Sequence, residues 1–247
     1  MLVLIPARYG SSRLPGKPLA DLGGRPMIQR VYEAVLAAPE VETALVATDD
    51  ERIFRVVEAF GGQAMMTAPG HLSGTDRCAE ALASLDRKYE LVVNVQGDEP
   101  FVQAAQLRAL QRFMQDNPSF PIGTLVRRID TAEELENPNH VKAVVCAQSR
   151  KALYFSRSPV PYLRGVPFSE WPNKGTFYRH LGIYAFRGHA LTAVAALPPS
   201  PLESMESLEQ LRWLENGWSI GACETDHTGM GIDTPEDLER AQRLFGA

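Results

Sequence analysis

Short apolar runs alternate with stretches of helical periodicity through the first half of the chain. Residues 2–5 form an unbroken apolar run cut off by Pro6 and Arg8, the pattern of a strand buried on both faces. A helix is predicted from about Pro26, which suits a first turn, with Met27, Val31, Val35 and Leu36 on one side. A strand at 44–47 precedes Thr48-Asp49-Asp50, candidate caps for a helix carrying Ile53, Val56, Val57 and Phe60 that ends at Gly61-Gly62. Strands at 64–66, 91–95 and 122–126 then alternate with helices at 77–85 and 103–114.

This alternation predicts an α/β fold with a mostly parallel central sheet and helices on both faces. Ligands of such sheets bind beyond the carboxyl ends of the strands, which directs attention to the loops after Ile5, Met66 and Val95. Past residue 140 the pattern changes. Consecutive strands at 141–147 and 152–155 suggest an antiparallel part, and 157–179 reads as an ordered arm with four prolines among aromatic residues. A strand at 180–186, a helix at 202–216, a strand at 218–223 and a helix opened by Thr234-Pro235 complete the prediction. The 247 residues are read as a single domain, 1–247, large enough for a core without disulfide or metal staples.

Composition removes several function classes. A net charge of -5 opposes nonspecific nucleic-acid binding, so any bound anion must meet a local cluster of cations. Three scattered cysteines without a C-x-x-C pair argue against structural zinc and suit a reducing compartment. The opening apolar run is too short for a signal peptide, and nothing approaches a membrane span, so a cytoplasmic setting is expected.

Three segments carry candidate chemistry. Residues 6–18, P-A-R-Y-G-S-S-R-L-P-G-K-P, place Arg8, Arg13, Lys17, Ser11, Ser12 and two glycines directly after the first strand. Neither the P-loop spacing nor the dinucleotide G-x-G-x-x-G spacing is present. The composition suits a cradle for phosphates, with a solvated surface turn as the alternative. Ser73-Gly74-Thr75-Asp76-Arg77 precedes a helix, with Thr75 or Asp76 as candidate N-cap. Val95-Gln96-Gly97-Asp98-Glu99-Pro100 ends a strand in an amide, a glycine and two carboxylates, either a turn or a ligand set for magnesium. No D-x-D is present there, which disfavours an ordinary metal-dependent glycosyltransferase. Asp233, just before the Thr234 cap, is not needed for capping.

The pattern A-R-x-x-S-x-R-L-P-G-K-P-L, together with S-G-T-x-R, V-Q-G-D-E-P and G-x-D-T-P-E-D-L, resembles the cytidylyltransferases that activate acidic sugars, most closely those acting on 3-deoxy-manno-octulosonate (Kdo). The resemblance covers nearly the whole chain and implies a Rossmann-like nucleotidyltransferase fold, with a sugar-binding and dimerisation part near 141–190. It implies transfer of CMP from CTP to Kdo, giving CMP-Kdo for lipopolysaccharide biosynthesis, with Mg2+ as cofactor and a homodimer as assembly. CTP would be bound by Ala7, Arg8, Ser11, Ser12, Arg13, Lys17, Ser73, Thr75, Arg77, Gln96 and Asp98, with Lys17, Arg13 and Asp98 catalytic. The metal would be held by Asp98 and Asp233. The sugar would meet Gln96, Arg157, Arg164, His180, Tyr184, Glu209 and Gln210. Two alternatives stay open: the same reaction on 8-amino-Kdo or another acidic sugar, and a CTP-binding regulator without turnover.

Overall fold

A computed structural model describes residues 1–10, 14–227, 229 and 231–246. Strands β1 (Leu2–Ala7), β2 (Thr43–Thr48), β3 (Ala64–Met66) and β4 (Leu91–Asn94) run parallel, linked by helices α1 (Met27–Leu36), α2 (Glu51–Ala59) and α3 (Gly74–Ala83). Val3 and Ile5 of β1 face one core with α1, α2 and α4 (Ala104–Asp116), whereas Leu2 and Leu4 face a second. That two-residue alternation inside one apolar run is what a strand covered on both sides requires.

The rest of the sheet adds β5 (Ile122–Arg128), β8 (Tyr178–Arg187) and β9 (Ile220–Glu224), in the order β3-β2-β1-β4-β8-β5-β9. β9 is parallel to β5, and β8 runs antiparallel to both β4 and β5. The antiparallel hairpin of β6 (Lys142–Val145) and β7 (Ala152–Ser156) branches off β8 through β6. The sheet is thus mostly parallel, as expected, but its reversed strand lies in the middle. Because β8 is reversed, Asn94 at the carboxyl end of β4 pairs with Tyr184, and the first half of β8 reaches the ligand-binding edge.

Elsewhere the chain departs from its apolar pattern. The arm contains the single turn α6 (Trp171–Lys174), whose Trp171 packs with Phe177, Ile129 and Leu135 after α5 (Ala132–Glu136). Helix α7 (Gly188–Ala195), also unannounced by the sequence, buries Ala190, Leu191 and Val194 in the second core. The single helix expected at 202–216 is two, α8 (Pro201–Glu206) and α9 (Gln210–Glu215), separated where Ser207 adopts a left-handed backbone at φ 51°. The chain closes with α10 (Pro235–Phe245), which packs with Leu22, Met27 and Phe101.

Candidate active site

The loops after β1, β3 and β4 converge on a cavity of about 310 Å3, lined by Arg8, Lys17, Ser73, Arg77, Gln96, Asp98 and Asp233 among others. All these loops leave the carboxyl edge of the sheet, as the parallel register of β1 with β2 and β4 dictates. Gly97 lets two of them touch: a Cβ there would lie 2.9 Å from the Pro6 carbonyl oxygen.

Lys17 opens a short 3-10 turn, Lys17–Leu19, preceded by Gly16 at φ 71°. Only a glycine takes that left-handed conformation without strain, and the Gly16 amide donates to the Tyr9 carbonyl at 3.0 Å. The turn directs the Lys17 ammonium onto Asp98 Oδ2 (2.5 Å), the Ile232 carbonyl (2.8 Å) and Asp233 Oδ1 (3.2 Å). Asp233 is positioned by the capping box that starts α10, since Asp237 accepts from the backbone amides of both Asp233 and Thr234. The Ile232 amide donates to the Asp98 carbonyl at 3.0 Å, tying the two acidic segments together.

Two carboxylates already sharing one cation provide hard oxygen ligands of the kind magnesium takes, the remainder coming from phosphate and water. Among the described residues no group of three or more His, Cys, Asp or Glu side chains is placed to hold a metal ion. Burial of neighbouring Glu99, reinforced by the Asp98 charge, pushes its pKa up to about 8.

Arg77 lies on the inner side of the cavity, only 3% exposed. Its guanidinium donates to Asp49 Oδ2 (3.0 Å) and Thr67 Oγ1 (2.5 Å), which fix its plane against the binding space. The helix it sits on is capped by Ser73, not by Thr75 or Asp76; Ser73 and Asp76 form the capping box. That frees Thr75, whose hydroxyl donates to Glu209 Oε2 at 2.7 Å. The 67–73 loop is tethered by Glu80, which accepts from the Ala68 amide at 3.0 Å and pairs with His71. Thr67, His71 and Glu80 carry no sequence signal of a role here, and Asp49 reads only as a candidate helix cap, although Asp49 and Thr67 each follow a strand at the carboxyl edge.

Behind Gln96 the interior is polar. Gln96 Nε2 donates to Asn94 Oδ1 at 3.2 Å, Asn94 pairs with Tyr184, and the Tyr184 ring packs edge-on against Trp213, their centroids 4.9 Å apart. Asn94 Nδ2, Tyr184 OH, Glu209 Oε1, Gln210 Nε2 and Trp213 Nε1 are buried without a hydrogen-bond partner among the described residues. Burial raises the pKa of Glu209 and drives that of the Tyr184 hydroxyl well up, with the Glu209 charge adding to the latter. Buried polar atoms in such number are unusual unless a ligand or ordered water completes their bonds.

His180 stands beside this region, its ring 5.1 Å from that of Tyr184. Thr124 donates its hydroxyl hydrogen to the Ile183 carbonyl (2.8 Å), so it accepts from His180 Nε2 (2.9 Å) and fixes the Nε2–H tautomer. Burial, with the Arg179 charge second, lowers the His180 pKa to about 3, which disqualifies it as a general base at neutral pH.

Of the residues expected at the sugar, Gln96 alone lines this cavity; Tyr184, Glu209 and Gln210 lie in the polar interior behind it, with His180 beside them. The other two fall elsewhere. The Arg157 guanidinium donates to the carbonyls of Glu206 (2.7 Å), Pro138 (3.1 Å) and Ser207 (3.3 Å) and does not line the cavity. Arg164 is exposed on the arm and does not line it either. The expectations for Ser11, Ser12 and Arg13 lie outside the described residues. Ala7, Arg8, Lys17, Ser73, Arg77, Gln96, Asp98 and Asp233 come together at the cavity, with Thr75 and Glu209 joined alongside.

A family model for cytidylyltransferases matches residues 2–221. The 3-deoxy-manno-octulosonate cytidylyltransferase of Bacteroides thetaiotaomicron is 51% identical over 248 residues, 99% of this chain and 97% of that protein. The protein of the same name from Escherichia coli is 46% identical over 244 residues, 99% of this chain and 95% of its own. The solved structure of a CMP:2-keto-3-deoxy-manno-octonic acid synthetase complexed with CTP matches with a TM-score of 0.90 at 45% identity, covering 98% of this chain and 97% of that one. With sequence and backbone agreeing over almost their full length, the chain belongs to the 3-deoxy-manno-octulosonate cytidylyltransferase family.

Proposed function

We propose that the protein transfers CMP from CTP to Kdo, releasing pyrophosphate. The observation that carries this is the meeting of Lys17, Asp98 and Asp233 at the mouth of a cavity that also holds Arg8 and Arg77. A triphosphate needs several cations at one end and the base needs fixed donors at the other, and the cavity offers both.

The C2 hydroxyl oxygen of the sugar forms a bond to the α-phosphorus as the α–β bridging bond breaks, and the hydroxyl proton leaves to solvent. Arg8 and Lys17 bind the phosphates, and Lys17 offsets charge growing on the α-phosphoryl oxygens. Arg77, held by Asp49 and Thr67, and the backbone at Ser73 and Gly74 line the cytosine end. Gln96, Tyr184, Glu209 and Gln210 orient the sugar, whose hydroxyls would satisfy the polar atoms orphaned there. Asp98 and Asp233 would hold Mg2+, which supplies Lewis acidity at the phosphoryl and attacking oxygens. The residues themselves act by positioning and by fixed charge, so the reaction needs no covalent enzyme intermediate.

The homodimer belongs to this proposal. Leu153 and Tyr162 leave exposed apolar surface within the 141–190 stretch, where a second copy would pack. No helix among the described residues is long and apolar enough to cross a membrane, and the proposal sets the reaction in the cytoplasm. The deciding experiment is pyrophosphate release from CTP with Kdo, 8-amino-Kdo and a sialic acid in parallel. Release with Kdo at the highest kcat/KM is expected, and CTP binding without release on any sugar would overturn the assignment.

A further inference from the structure

The break between α8 and α9 lies against the end of β7. The Glu206 carboxylate accepts from the Ser156 hydroxyl (2.6 Å) and from the Arg157 backbone amide (2.9 Å), both at the end of β7. In return, the Arg157 guanidinium donates to the backbone carbonyls of Glu206 and Ser207. Residues 206–207 are therefore grasped through side chain and backbone together.

A second cation reinforces the grip. Lys142 pairs with Ser156 across the hairpin, is fully buried, donates to the Asn137 carbonyl at 3.0 Å and interacts electrostatically with Glu206. A residue whose carboxylate is held by two hydrogen bonds and whose own carbonyl is held by the Arg157 guanidinium is hard to move. With the chain pinned there, Ser207 takes its left-handed turn and a continuous helix is interrupted. Directly after the turn, Leu208 is buried and Glu209 reaches Thr75 on α3. Gln210, next in line, is buried with its amide nitrogen unpaired.

We propose that Glu206 is a positioning residue for the sugar half of the site, setting Glu209 and Gln210 through the Ser207 turn without touching substrate. The inference rests on the assignment of Glu209 and Gln210 to the sugar. A carboxylate outside the cavity thereby governs affinity for one substrate and not the other.

Steady-state kinetics with CTP and Kdo varied separately test this in Glu206→Ala, Glu206→Gln, Ser207→Gly and Glu209→Ala, each checked by thermal melting. Glu206→Ala is expected to raise KM for Kdo about tenfold while KM for CTP stays within about twofold. Glu206→Gln keeps one oxygen acceptor, for the Arg157 amide, but loses the second acceptor and the charge, and should recover only part of the loss. Ser207→Gly, which adopts the turn freely, should behave as wild type. Glu209→Ala separates the two claims: an unchanged KM for Kdo in that variant defeats the sugar-side assignment itself. An impaired Glu209→Ala beside a normal Glu206→Ala defeats only the positioning role, as does an equal rise of both KM values in Glu206→Ala. Should Glu206→Ala fail to fold, a wild-type KM for Kdo in Glu206→Gln overturns the proposal.

Discussion

The ammonium of Lys17 lies 2.5 Å from Oδ2 of Asp98, a residue 81 positions further along the chain, with Asp233 closing the triangle. One cation thus stands where two carboxylates would otherwise repel each other. These groups keep partial solvent access, so the pairing adds little to stability and its importance lies in chemistry. Lys17→Met should lower kcat on the order of 10^2–10^3-fold with only a small change in melting temperature. The same variant, without nucleotide, should bind Mn2+ more tightly than wild type in a titration followed by electron paramagnetic resonance. Near-normal turnover, or weaker Mn2+ binding, would contradict the arrangement.

His180 makes a pH-dependent contribution whose sign follows from its burial. Its folded pKa of about 3 lies below the ordinary value of 6.5, so the folded protein refuses a proton that the unfolded chain accepts. Stability is full above pH 6.5 and falls as the pH drops toward 3, by up to about 1.4 kcal/mol per pH unit from this group. Urea unfolding at pH 7, 6 and 5 should show a shallower acid loss for His180→Gln, whose amide can still donate to Thr124. Identical acid limbs would mean that the imidazole is not held neutral.

Gly97→Ala forces a methyl group to within 2.9 Å of a backbone oxygen of Pro6. Neither strand end can yield easily, and a cost of about 1–3 kcal/mol is expected. The displacement also separates the loop of Arg8 from that of Asp98, so calorimetry should show weaker CTP binding. Wild-type stability and affinity in this variant would mean the loops are free to part.

Much of this was legible in the sequence because it is local. The apolar runs gave the strands, the loops after Ile5, Met66 and Val95 were named from the strand-end rule, and the Lys17, Asp98 and Asp233 segments were each recognisable. What escaped depends on distant partners. Thr48-Asp49-Asp50 reads as a cap three times over, yet Asp50 alone caps α2 while Asp49 turns to Arg77, 28 residues away. The partners of the chain at the Ser207 interruption come from the end of β7, some 50 residues earlier, and the periodicity of 202–216 carries no sign of them. Strand direction is likewise silent in an apolar run, and β8 became antiparallel through what it pairs with. Arg157 belongs to a segment matched by motif, and the three backbone oxygens its guanidinium meets lie 19 to 50 positions away, where no local pattern announces them.

Lys17 and Asp233 are separated by 216 positions, and Gly23 lies against Phe245 of the final helix so closely that a Cβ there would come within 2.6 Å of its carbonyl oxygen. During synthesis Lys17 emerges long before Asp233, so its second carboxylate partner arrives only when that later segment has been made and has docked against the turn.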